Sequence, residues 1–564
     1  MWYRTVRTLV TAGALTALAV ACGGGSGSSS TASTQGVANI AITDAPGDYD
    51  NVYITVSAVW FHTSSTAGPD DPSWVKYPLP TPVTVDLLTL QNGNLAQIFS
   101  SIALPNGNYQ QMRLILVPTV TVPLQTSIAG LTYNDQVNYQ DANDVEQSVP
   151  LELVNPDKGI ALHGTFTVNG SGNPLDLALD FNVNRDILNF YVGNQEDFVL
   201  KPRLAYFDLT HVGAITGSVN CADLLVNGGT GFAYDVIIKA EMLSSDGTYH
   251  VVDRWTGLNV NLASNSCTFT LFPLHIPAGS SSTSFDVMIR GRNMDTIIVQ
   301  GVPVQTGTTP MTGTQLNADP LTLTQGTEYT ANMPANMPVT PTGADVQFYQ
   351  TLPATAVAGS SMPYEIRYQG VNPFTGIFTD DEPLSLGSVQ QGLYVASANP
   401  VLTPVTPSQG LGGFDPYASA AYFTRTAATT GTLTPPGGAA VGSFTIGALT
   451  IASPADADSI SGTLTQSTAG KYDSGYVIIS HDGYIVTTLS LASVLALNGG
   501  TGGPFSVANI PGGSSTQTFA PGLYYLHAFV WNSADPWLSF HRVEGTGVVD
   551  LTEGSATNVT LTLN

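Results

Sequence analysis

The residue types that most often carry catalysis are present in this chain, but they do not occur in the spacings of known active sites. The 564 residues include eight histidines, which are scattered, and 41 acidic residues. The sequence contains no Gly-x-Ser-x-Gly turn, no His-Glu-x-x-His pair and no phosphate loop ending in Gly-Lys-(Ser/Thr). Any two of the acids could form the facing carboxylates of a glycosidase, but no pattern selects a pair. We therefore predict that the protein is not an enzyme and needs no cofactor.

An aromatic run near the C-terminus is the best candidate for a binding surface. It reads Tyr-Tyr-Leu-His-Ala-Phe-Val-Trp over residues 524–531 and is followed by Trp537. In a strand, alternation places Tyr525, His527 and Trp531 on one face. Aromatic rings on an open face can stack on sugars or on a partner protein. We therefore predict a ligand-binding site at these three residues and Trp537. The alternative is that both faces of the strand are covered by the sandwich and a neighbouring domain.

Aspartates near the first strands offer oxygen atoms of the kind that calcium prefers. Asp44, Asp48 and Asp50, together with Asp180, are the candidates. Their spacing is not that of a calcium loop, and aspartates in turns commonly accept hydrogen bonds from their own backbone. We therefore favour turn capping and predict no metal site, with calcium as the weaker alternative.

The N-terminus has the layout of a secretory signal. Two arginines precede an apolar stretch at residues 8–20, and the small residue Ala21 precedes Cys22. The apolar stretch is too short for a permanent membrane-spanning helix. The pattern resembles a bacterial lipoprotein signal, which implies cleavage before Cys22 and lipidation of that cysteine. The alternative is an ordinary signal peptide that is cut elsewhere.

The segment that follows the signal indicates where the folded part is held. Residues 23–36 are rich in Gly and Ser and have little to bury, so we predict a flexible tether. Gly23 is not the aspartate that usually retains such lipoproteins in the inner membrane. The resemblance therefore implies a lipid anchor in the outer membrane of a Gram-negative bacterium, with the folded part facing the periplasm or the cell exterior.

Composition limits the classes of partner. Charged residues make up only 10% of the chain, and the formal net charge is −25. Nucleic acids and anionic lipids are bound by clusters of Lys and Arg, so we predict no nucleic-acid partner. The low charge content, with abundant Gly, Thr, Ser, Asn and Val, is typical of an extracellular all-β protein. The length predicts several domains.

Two further cysteines suggest a disulfide bond. If Cys22 is lipidated, Cys221 and Cys267 remain as an even number in an oxidising compartment. We predict that these two form a disulfide, although two separate buried thiols remain the alternative because sequence separation does not establish proximity. The cysteine and histidine spacing does not suggest zinc.

The N-terminal third alternates in the manner of β-strands. Residues 38–43 and 52–56 alternate apolar and polar side chains, and residues 85–90 and 112–117 continue the pattern. A partial helical stripe predicts one short helical element at 87–101. The remaining sequence to Leu204 is typical of strands.

These strands carry a resemblance to a known family. The residues that carry it are Thr43-Asp44-Ala45-Pro46, the strand 52–56, Trp74, Val85-Asp86-Leu87-Leu88, Leu90, Asn92, Gly93, Leu104-Pro105, Gly107, Tyr109, Gln111, Arg113, Leu114, Leu179-Asp180-Phe181 and Leu200-Lys201-Pro202. In that order they resemble the bacterial lipoprotein family of domain of unknown function 4382, over residues 37–210. The family has no established activity, so the resemblance implies architecture and location only. Cations are scarce, and we expect Arg113 and Lys201 to pair with a carboxylate such as Asp86 or Asp180.

Two later segments repeat a set of short motifs in the same order. The matches are Ile215-Thr216-Gly217 with Ile460-Ser461-Gly462, Val236-Ile237-Ile238 with Val477-Ile478-Ile479, Ile276-Pro277 with Ile510-Pro511, and Leu323-Thr324-Gln325-Gly326 with Leu551-Thr552-Glu553-Gly554. Matches in the same order predict a duplication whose copies, 211–333 and 449–564, share one fold. The pattern resembles transthyretin-like, carboxypeptidase-regulatory-like β-sandwiches, which implies spacing, adhesion or ligand display.

The sequence as a whole predicts tandem β-sandwich or β-barrel-like domains on a tether after a lipoprotein signal. The predicted divisions are a signal at 1–22, a tether at 23–36, β domains at 37–210 and 211–333, a Pro/Gly-rich linker and irregular β domain at 334–448, and a repeat at 449–564. The predicted function is an outer-membrane or cell-surface lipoprotein that displays non-catalytic binding or structural modules, with a glycan or another envelope protein as partner. The alternatives are a carbohydrate-active or other envelope hydrolase and an accessory protein of secretion or envelope assembly.

Overall fold

The computed structural model describes residues 35–563 apart from short segments. These segments are 48, 142, 171–173, 227–235, 262–265, 292–293, 325–326, 330–342, 373, 375–383, 387–388, 407–414, 432–443, 447–448, 453–456, 513–521 and 544–546. Cys22, nearly all of the tether and the predicted linker at 334–342 lie outside the described residues. The regular secondary structure of the described chain is almost entirely β-strand, arranged in many sheets, which confirms the predicted all-β fold class. No helix in this part of the chain is long and apolar enough to cross a membrane.

The N-terminal domain packs two sheets face to face. Its strands are β1 (Gln35–Ala45), β2 (Asn51–His62), β3 (Val75–Asp86), β4 (Ala96–Pro105), β5 (Gly107–Leu116), β6 (Gln136–Gln140), β7 (Glu146–Leu153), β8 (Ile160–Val168), β9 (Leu175–Asn182), β10 (Ile187–Val192), β11 (Gln195–Leu200) and β12 (Ala205–Asp208). One sheet has the order β12-β9-β1-β4, and the other has the order β10-β11-β7-β6-β2-β5-β8 with β3 beside β2. Ile40, Ile42 and Ile54 are fully buried in the core. The short helix α1 (Val183–Asp186) separates β9 from β10.

The helical element predicted at 87–101 is wrong beyond its first turn. A 3-10 turn covers Leu87–Leu90, where the Asp86 side chain accepts a hydrogen bond from the backbone of Leu88. Residues 91–95 form a turn without regular structure, and the segment then enters β4, which pairs with β1. The burial pattern of β4 gives the reason. Ile102 and Leu104 are buried on either side of exposed Ala103, an alternation that fits a strand at a sheet edge.

The second domain is a smaller pair of sheets that holds both described cysteines. Its elements are β13 (Val212–Val219), α2 (Cys221–Val226), β14 (Ile237–Leu243), β15 (His250–Gly257), β16 (Asn259–Asn261), β17 (Ser266–His275), β18 (Ser282–Arg290), β19 (Ile297–Gln305) and β20 (Thr314–Gln315), after a 3-10 turn at Leu209–His211. Cys221 and Cys267 form the predicted disulfide, with Cα atoms 5.4 Å apart and both residues buried. The bond joins Cys221, the first residue of α2, to Cys267 on β17, which is the antiparallel partner of β13.

The segment between the two repeats belongs to more than one sheet. Its strands are β21 (Thr327–Tyr329), β22 (Asp345–Gln350), β23 (Tyr364–Gly370), β24 (Leu384–Leu386), β25 (Val389–Leu393), β26 (Thr403–Val405), β27 (Asp415–Ser419), β28 (Thr426–Gly431) and β29 (Phe444–Ile446). One sheet has the order β23-β22-β27-β28-β29, but β25 pairs in parallel with β19 and extends the sheet of the second domain. Met288 and Ile298 of the second domain also pack with Val346 and Phe348. The predicted division at 333/334 is therefore not a boundary between sheets.

The C-terminal domain has the same strand order as the second domain. Its elements are β30 (Ala457–Gln466), β31 (Ser474–His481), β32 (Tyr484–Ser490), α3 (Ala492–Leu495), a 3-10 turn at Leu497–Gly499, β33 (Pro504–Pro511), β34 (Leu523–Trp531), α4 (Pro536–Ser539), β35 (His541–Val543), β36 (Val548–Asp550) and β37 (Ala556–Leu563). The order β33-β30-β37 corresponds to β17-β13-β20, and β32-β31-β34-β35 corresponds to β15-β14-β18-β19. The pairing directions of the first sheet also agree, antiparallel on one side and parallel on the other.

The repeated motifs do not all occupy corresponding places. Gly217 and Gly462 both lie in the first strand where a side chain would overlap a neighbour, the Phe269 ring in one copy and the Val559 carbonyl oxygen in the other. The motif beginning at Leu323 follows β20, whereas the one beginning at Leu551 precedes β37. The fourth sequence match therefore does not mark corresponding positions.

Candidate functional site

The aromatic strand predicted to bind a ligand is β34, and both of its faces are covered. Leu526, Ala528 and Val530 point into the core of the C-terminal domain. The opposite face carries Phe529 and Trp531, which lie in a second apolar cluster. The predicted alternation of faces is therefore correct, and the face expected to be open is an interface instead.

This interface, which we call the interdomain cluster, joins β34 to the N-terminal domain. It consists of Val154, Leu188, Phe190, Val192, Val199, Phe374, Ile478, Ile485, Phe529 and Trp531. The rings of Phe190 and Phe529 stack with centroids 5.5 Å apart. Packing of the two apolar sheet surfaces against each other removes their area from water, and this burial stabilises the interface.

The four residues predicted as a ligand platform do not form an open surface. Tyr525, His527 and Trp531 are each only 6–7% exposed, so an exposed platform built on them is wrong. Trp537, on α4, is half-buried and stacks on Phe540, with ring centroids 6.3 Å apart and planes 4° apart. The alternative that the neighbouring domain covers the strand is the arrangement found.

Of the aspartates considered for calcium, Asp44 has its carboxylate hydrogen-bonded to a protein backbone group. Asp44 is buried, and its Oδ1 accepts a hydrogen bond from the backbone of Val183 at 3.2 Å. Burial raises the pKa of the Asp44 carboxyl well above its usual range, and the nearby charge of Asp180 adds to the rise. Asp50 donates its backbone N–H to Asn138 at 2.8 Å, and Asp48 lies outside the described residues. Among the described residues, no three acidic, histidine or cysteine side chains gather as metal ligands would.

The positive charge beside these aspartates comes from the second domain. Arg254 on β15 pairs with Asp180 and donates hydrogen bonds of 2.7 Å to the Thr43 hydroxyl and the Asp44 carbonyl oxygen. Arg254 is almost fully buried. An arginine from another domain therefore occupies the position where a cation was considered.

A hairpin tip of the C-terminal domain makes several polar contacts with the N-terminal domain. Asp482 and Gly483 join β31 to β32 with φ values of 54° and 88°, the left-handed conformation that a two-residue hairpin turn needs. Asp482 Oδ1 accepts from Arg113 at 2.6 Å, and Oδ2 lies 2.8 Å from His163 Nε2 and 3.0 Å from His481 Nε2. Arg113 therefore pairs with a carboxylate as expected, but the carboxylate is that of Asp482 and not that of Asp86 or Asp180. Asp482 lies 369 residues from Arg113 along the chain.

The charges at this tip support one another. Burial raises the pKa of Asp482, but the positive charges of His481 and Arg113 outweigh it and hold that pKa well below its usual range. Burial lowers the pKa of His481, but the Asp482 carboxylate outweighs it and raises that pKa. The Asp482 carboxylate is ionised and is contacted by Arg113, His163 and His481, so it forms a charge-assisted contact between the two domains.

A second ionic contact joins three parts of the chain. Asp345 of β22 lies 2.7 Å from the Arg203 guanidinium and 3.4 Å from Lys201 Nζ, and Arg203 also donates to the Tyr484 hydroxyl at 2.6 Å. Lys201 and Asp345 are both fully buried. Lys201 therefore pairs with Asp345, and not with Asp86 or Asp180 as expected.

Two further ion pairs also join different parts of the chain. Arg542 of β35 pairs with Glu152 of β7, and Lys239 of β14 lies 3.1 Å from Glu365 of β23. Sequence reasoning missed these partners because long-range pairing leaves no local pattern. Two features of the sequence were relevant to these contacts. The chain has only 16 Lys and Arg residues, and the Asp482-Gly483 dipeptide predicts the tight hairpin that carries the Asp482 contact.

Comparison with known proteins identifies only the N-terminal domain. Residues 35–202 match the family described as Domain of unknown function (DUF4382), which supports the resemblance seen in the sequence. No curated protein is similar to the chain at a significant level. Among solved structures, the chain is similar to one described as "The Bacillus anthracis TIE protein", with 8% identity, coverage of 96% of this chain and 75% of that chain, and a TM-score of 0.12. A TM-score this low does not establish a common fold.

Proposed function

We propose that the protein is an outer-membrane or cell-surface lipoprotein whose β domains form one non-catalytic scaffold for binding or structural surfaces. The observation that carries the proposal is the pairing of buried cations with carboxylates of other domains. Arg113 pairs with Asp482 in this way, and Arg254 pairs with Asp180. A cation held in a buried pair contributes to the position of a domain, because removing its partner would leave an uncompensated charge.

The anchor is supported by the sequence. Cys22 follows an apolar signal and precedes a Gly/Ser segment, as in bacterial lipoproteins. Cys22→Ser should abolish fatty-acid labelling and release a soluble product into the culture medium or periplasm. Unchanged labelling of the variant would rule out this part of the proposal.

We assign transthyretin-like, carboxypeptidase-regulatory-like sandwiches to the second and C-terminal domains. Their common strand order and the crowded glycines at Gly217 and Gly462 support the assignment. In such modules the usual role is spacing, adhesion or display of a ligand.

The scaffold proposal is tested with the full chain in a non-ionic detergent. We expect retention of a glycan or an envelope protein on an array without release of hydrolysis products, and limited proteolysis that does not separate the domains. Product release would instead support an envelope hydrolase, and early cleavage between the N-terminal and C-terminal domains would contradict a single scaffold.

A further inference from the structure

Three tyrosine rings surround the guanidinium group of Arg425 where the second domain meets the middle segment. The Cζ atom of Arg425 lies 3.6 Å from the ring centroid of Tyr417, 4.1 Å from that of Tyr249 and 4.4 Å from that of Tyr349. Tyr349 on β22 and Tyr417 on β27 share one sheet face, and Tyr249 directly precedes β15. Neighbouring rings meet edge to face, at 86° and 89°. The three rings therefore form a cage, which we call the tyrosine cage.

Arg425 fits this cage by charge but not by hydrogen bonding. A cation within about 6 Å of a ring centroid is attracted by the negative face of the ring. Among the described residues, however, the buried Nε and NH2 atoms of Arg425 have no hydrogen-bond partner, and Arg425 forms no ion pair. Arg113 and Arg254, by contrast, donate to carboxylates. Buried donors without acceptors are unfavourable, so the cage meets only part of what arginine needs.

The surroundings of the cage favour a cation and allow one to enter. Burial raises the pKa of Tyr349, and the Glu365 carboxylate nearby adds to the rise, so the phenol stays neutral. Lys239 is already paired with Glu365, at 3.1 Å. Tyr249, Tyr417 and Arg425 are half-buried, so part of the cage is exposed to solvent.

We propose that Tyr249, Tyr349 and Tyr417 form a binding site for a trimethylammonium group and that Arg425 is the internal occupant that such a ligand displaces. A trimethylammonium group carries the positive charge without any N–H, so ring faces satisfy it fully where they leave arginine unsatisfied. The site does not depend on the lipid anchor or on catalysis. Its absence would leave the scaffold proposal unchanged.

The proposal is tested by removing the internal cation from the full chain in a non-ionic detergent. Arg425→Gln keeps a polar side chain of similar reach but removes the charge. By calorimetric titration, this variant should bind tetramethylammonium and choline at least tenfold more tightly than the unaltered protein, and Tyr417→Leu added to it should abolish the gain. Equal affinity of the variant and the unaltered protein would overturn the proposal, as would a gain that survives Tyr417→Leu.

Two comparisons establish what the site recognises. The uncharged choline analogue 3,3-dimethyl-1-butanol should bind at least tenfold more weakly than choline, and equal binding would show an apolar pocket and overturn the proposal. Phosphocholine and a trimethyllysine peptide represent the two sources of the group, a lipid headgroup and a protein, and tighter binding of one identifies the source.

If Arg425→Gln fails to fold, the proposal is tested by NMR on the unaltered chain with isotope-labelled arginine. Tetramethylammonium should shift the Arg425 Nε resonance, and no shift at saturating concentration would overturn the proposal.

Discussion

Asp482 shows how much a single side chain contributes where charges are few. It is the carboxylate partner of Arg113, which is only 1% exposed. We expect Asp482→Asn to lower the free energy of unfolding by about 3 kcal/mol, because the buried guanidinium loses its counter-charge while the shape of the side chain is kept. Urea denaturation followed by tryptophan fluorescence measures this loss.

The control for this prediction is another aspartate with a cation at a similar distance. Asp70 lies 2.8 Å from Lys158 Nζ, but its side chain is 62% exposed. Asp70→Asn should change the free energy of unfolding by less than about 1 kcal/mol. Equal effects of the two substitutions would show that burial does not decide the strength of the Asp482 contact.

The two tryptophans predicted as a platform now have different expected roles. Trp531 is buried in the interdomain cluster, so Trp531→Ala should cost roughly 3–5 kcal/mol through a cavity. Trp537 lies at the margin of that cluster and is half-buried, so Trp537→Ala should cost clearly less. Thermal melting of the two variants measures the difference. A Trp531→Ala variant that melts like the unaltered protein would contradict its place in a packed interface.

At the level of elements, the first strand of each repeat is limited by its glycine. In β30, a Cβ on Gly462 would overlap the Val559 carbonyl oxygen of the parallel partner β37. Gly462→Ala should therefore force the strands apart and cost about 1–3 kcal/mol, with loss of amide protection in β37 measured by hydrogen exchange.

Gly107 provides the matched control because it also lies in a strand. A Cβ there would meet only the Tyr109 ring, at an ordinary 4.0 Å. Gly107→Ala should leave the melting temperature nearly unchanged. Unchanged protection of β37 in the Gly462→Ala variant would show that the two strands tolerate a side chain between them.

The disulfide acts on the second domain as a cross-strand link. It closes a loop with a sequence separation of 46 residues. By the loop-entropy model, Cys221→Ser with Cys267→Ser should lower the free energy of unfolding by up to about 4 kcal/mol. Denaturation of the double variant measures the loss, and non-reducing mass spectrometry of the unaltered protein should find no free thiol at either position. The C-terminal domain, whose described residues contain no cysteine, should melt unchanged.

At the level of the whole molecule, attachment of the N-terminal to the C-terminal domain should depend on pH. Asp197 on β11 lies opposite Phe190, which belongs to the interdomain cluster, and burial raises the pKa of Asp197 to about 8. Because this pKa is above the unfolded value, the stabilising contribution is present at low pH and is lost as pH rises through about 8. We expect the ionisation of Asp197 to lower the free energy of unfolding by about 2 kcal/mol between pH 6 and pH 8.

Urea midpoints at the two pH values measure this change. Asp197→Asn should reduce the dependence, because the amide does not ionise. It should not abolish the dependence, because burial raises the pKa of Asp253 to about 7, and this rise and the raised pKa of His481 act in the same direction. A dependence identical in the variant would show that Asp197 does not ionise in this range.

The sequence by itself determined what is local. Alternation of apolar and polar residues specified strands such as 38–43 and 52–56, since side chains of a strand point to opposite faces whatever lies beyond them. The even cysteine count specified the disulfide partners, and the order of short motifs in the N-terminal third specified the family resemblance. Each of these depends on neighbouring residues or on composition.

The tertiary structure alone decided which surfaces remain open and which charges meet. Alternation assigned Trp531 to the correct face of β34, but only packing against Phe190 shows that this face is covered. Arg113 and Lys201 likewise have partners in other domains, Asp482 and Asp345, which no spacing in the chain predicts. The physical reason is that burial and ionic pairing depend on distances in space, and chain closure over hundreds of residues leaves no periodic trace in the sequence.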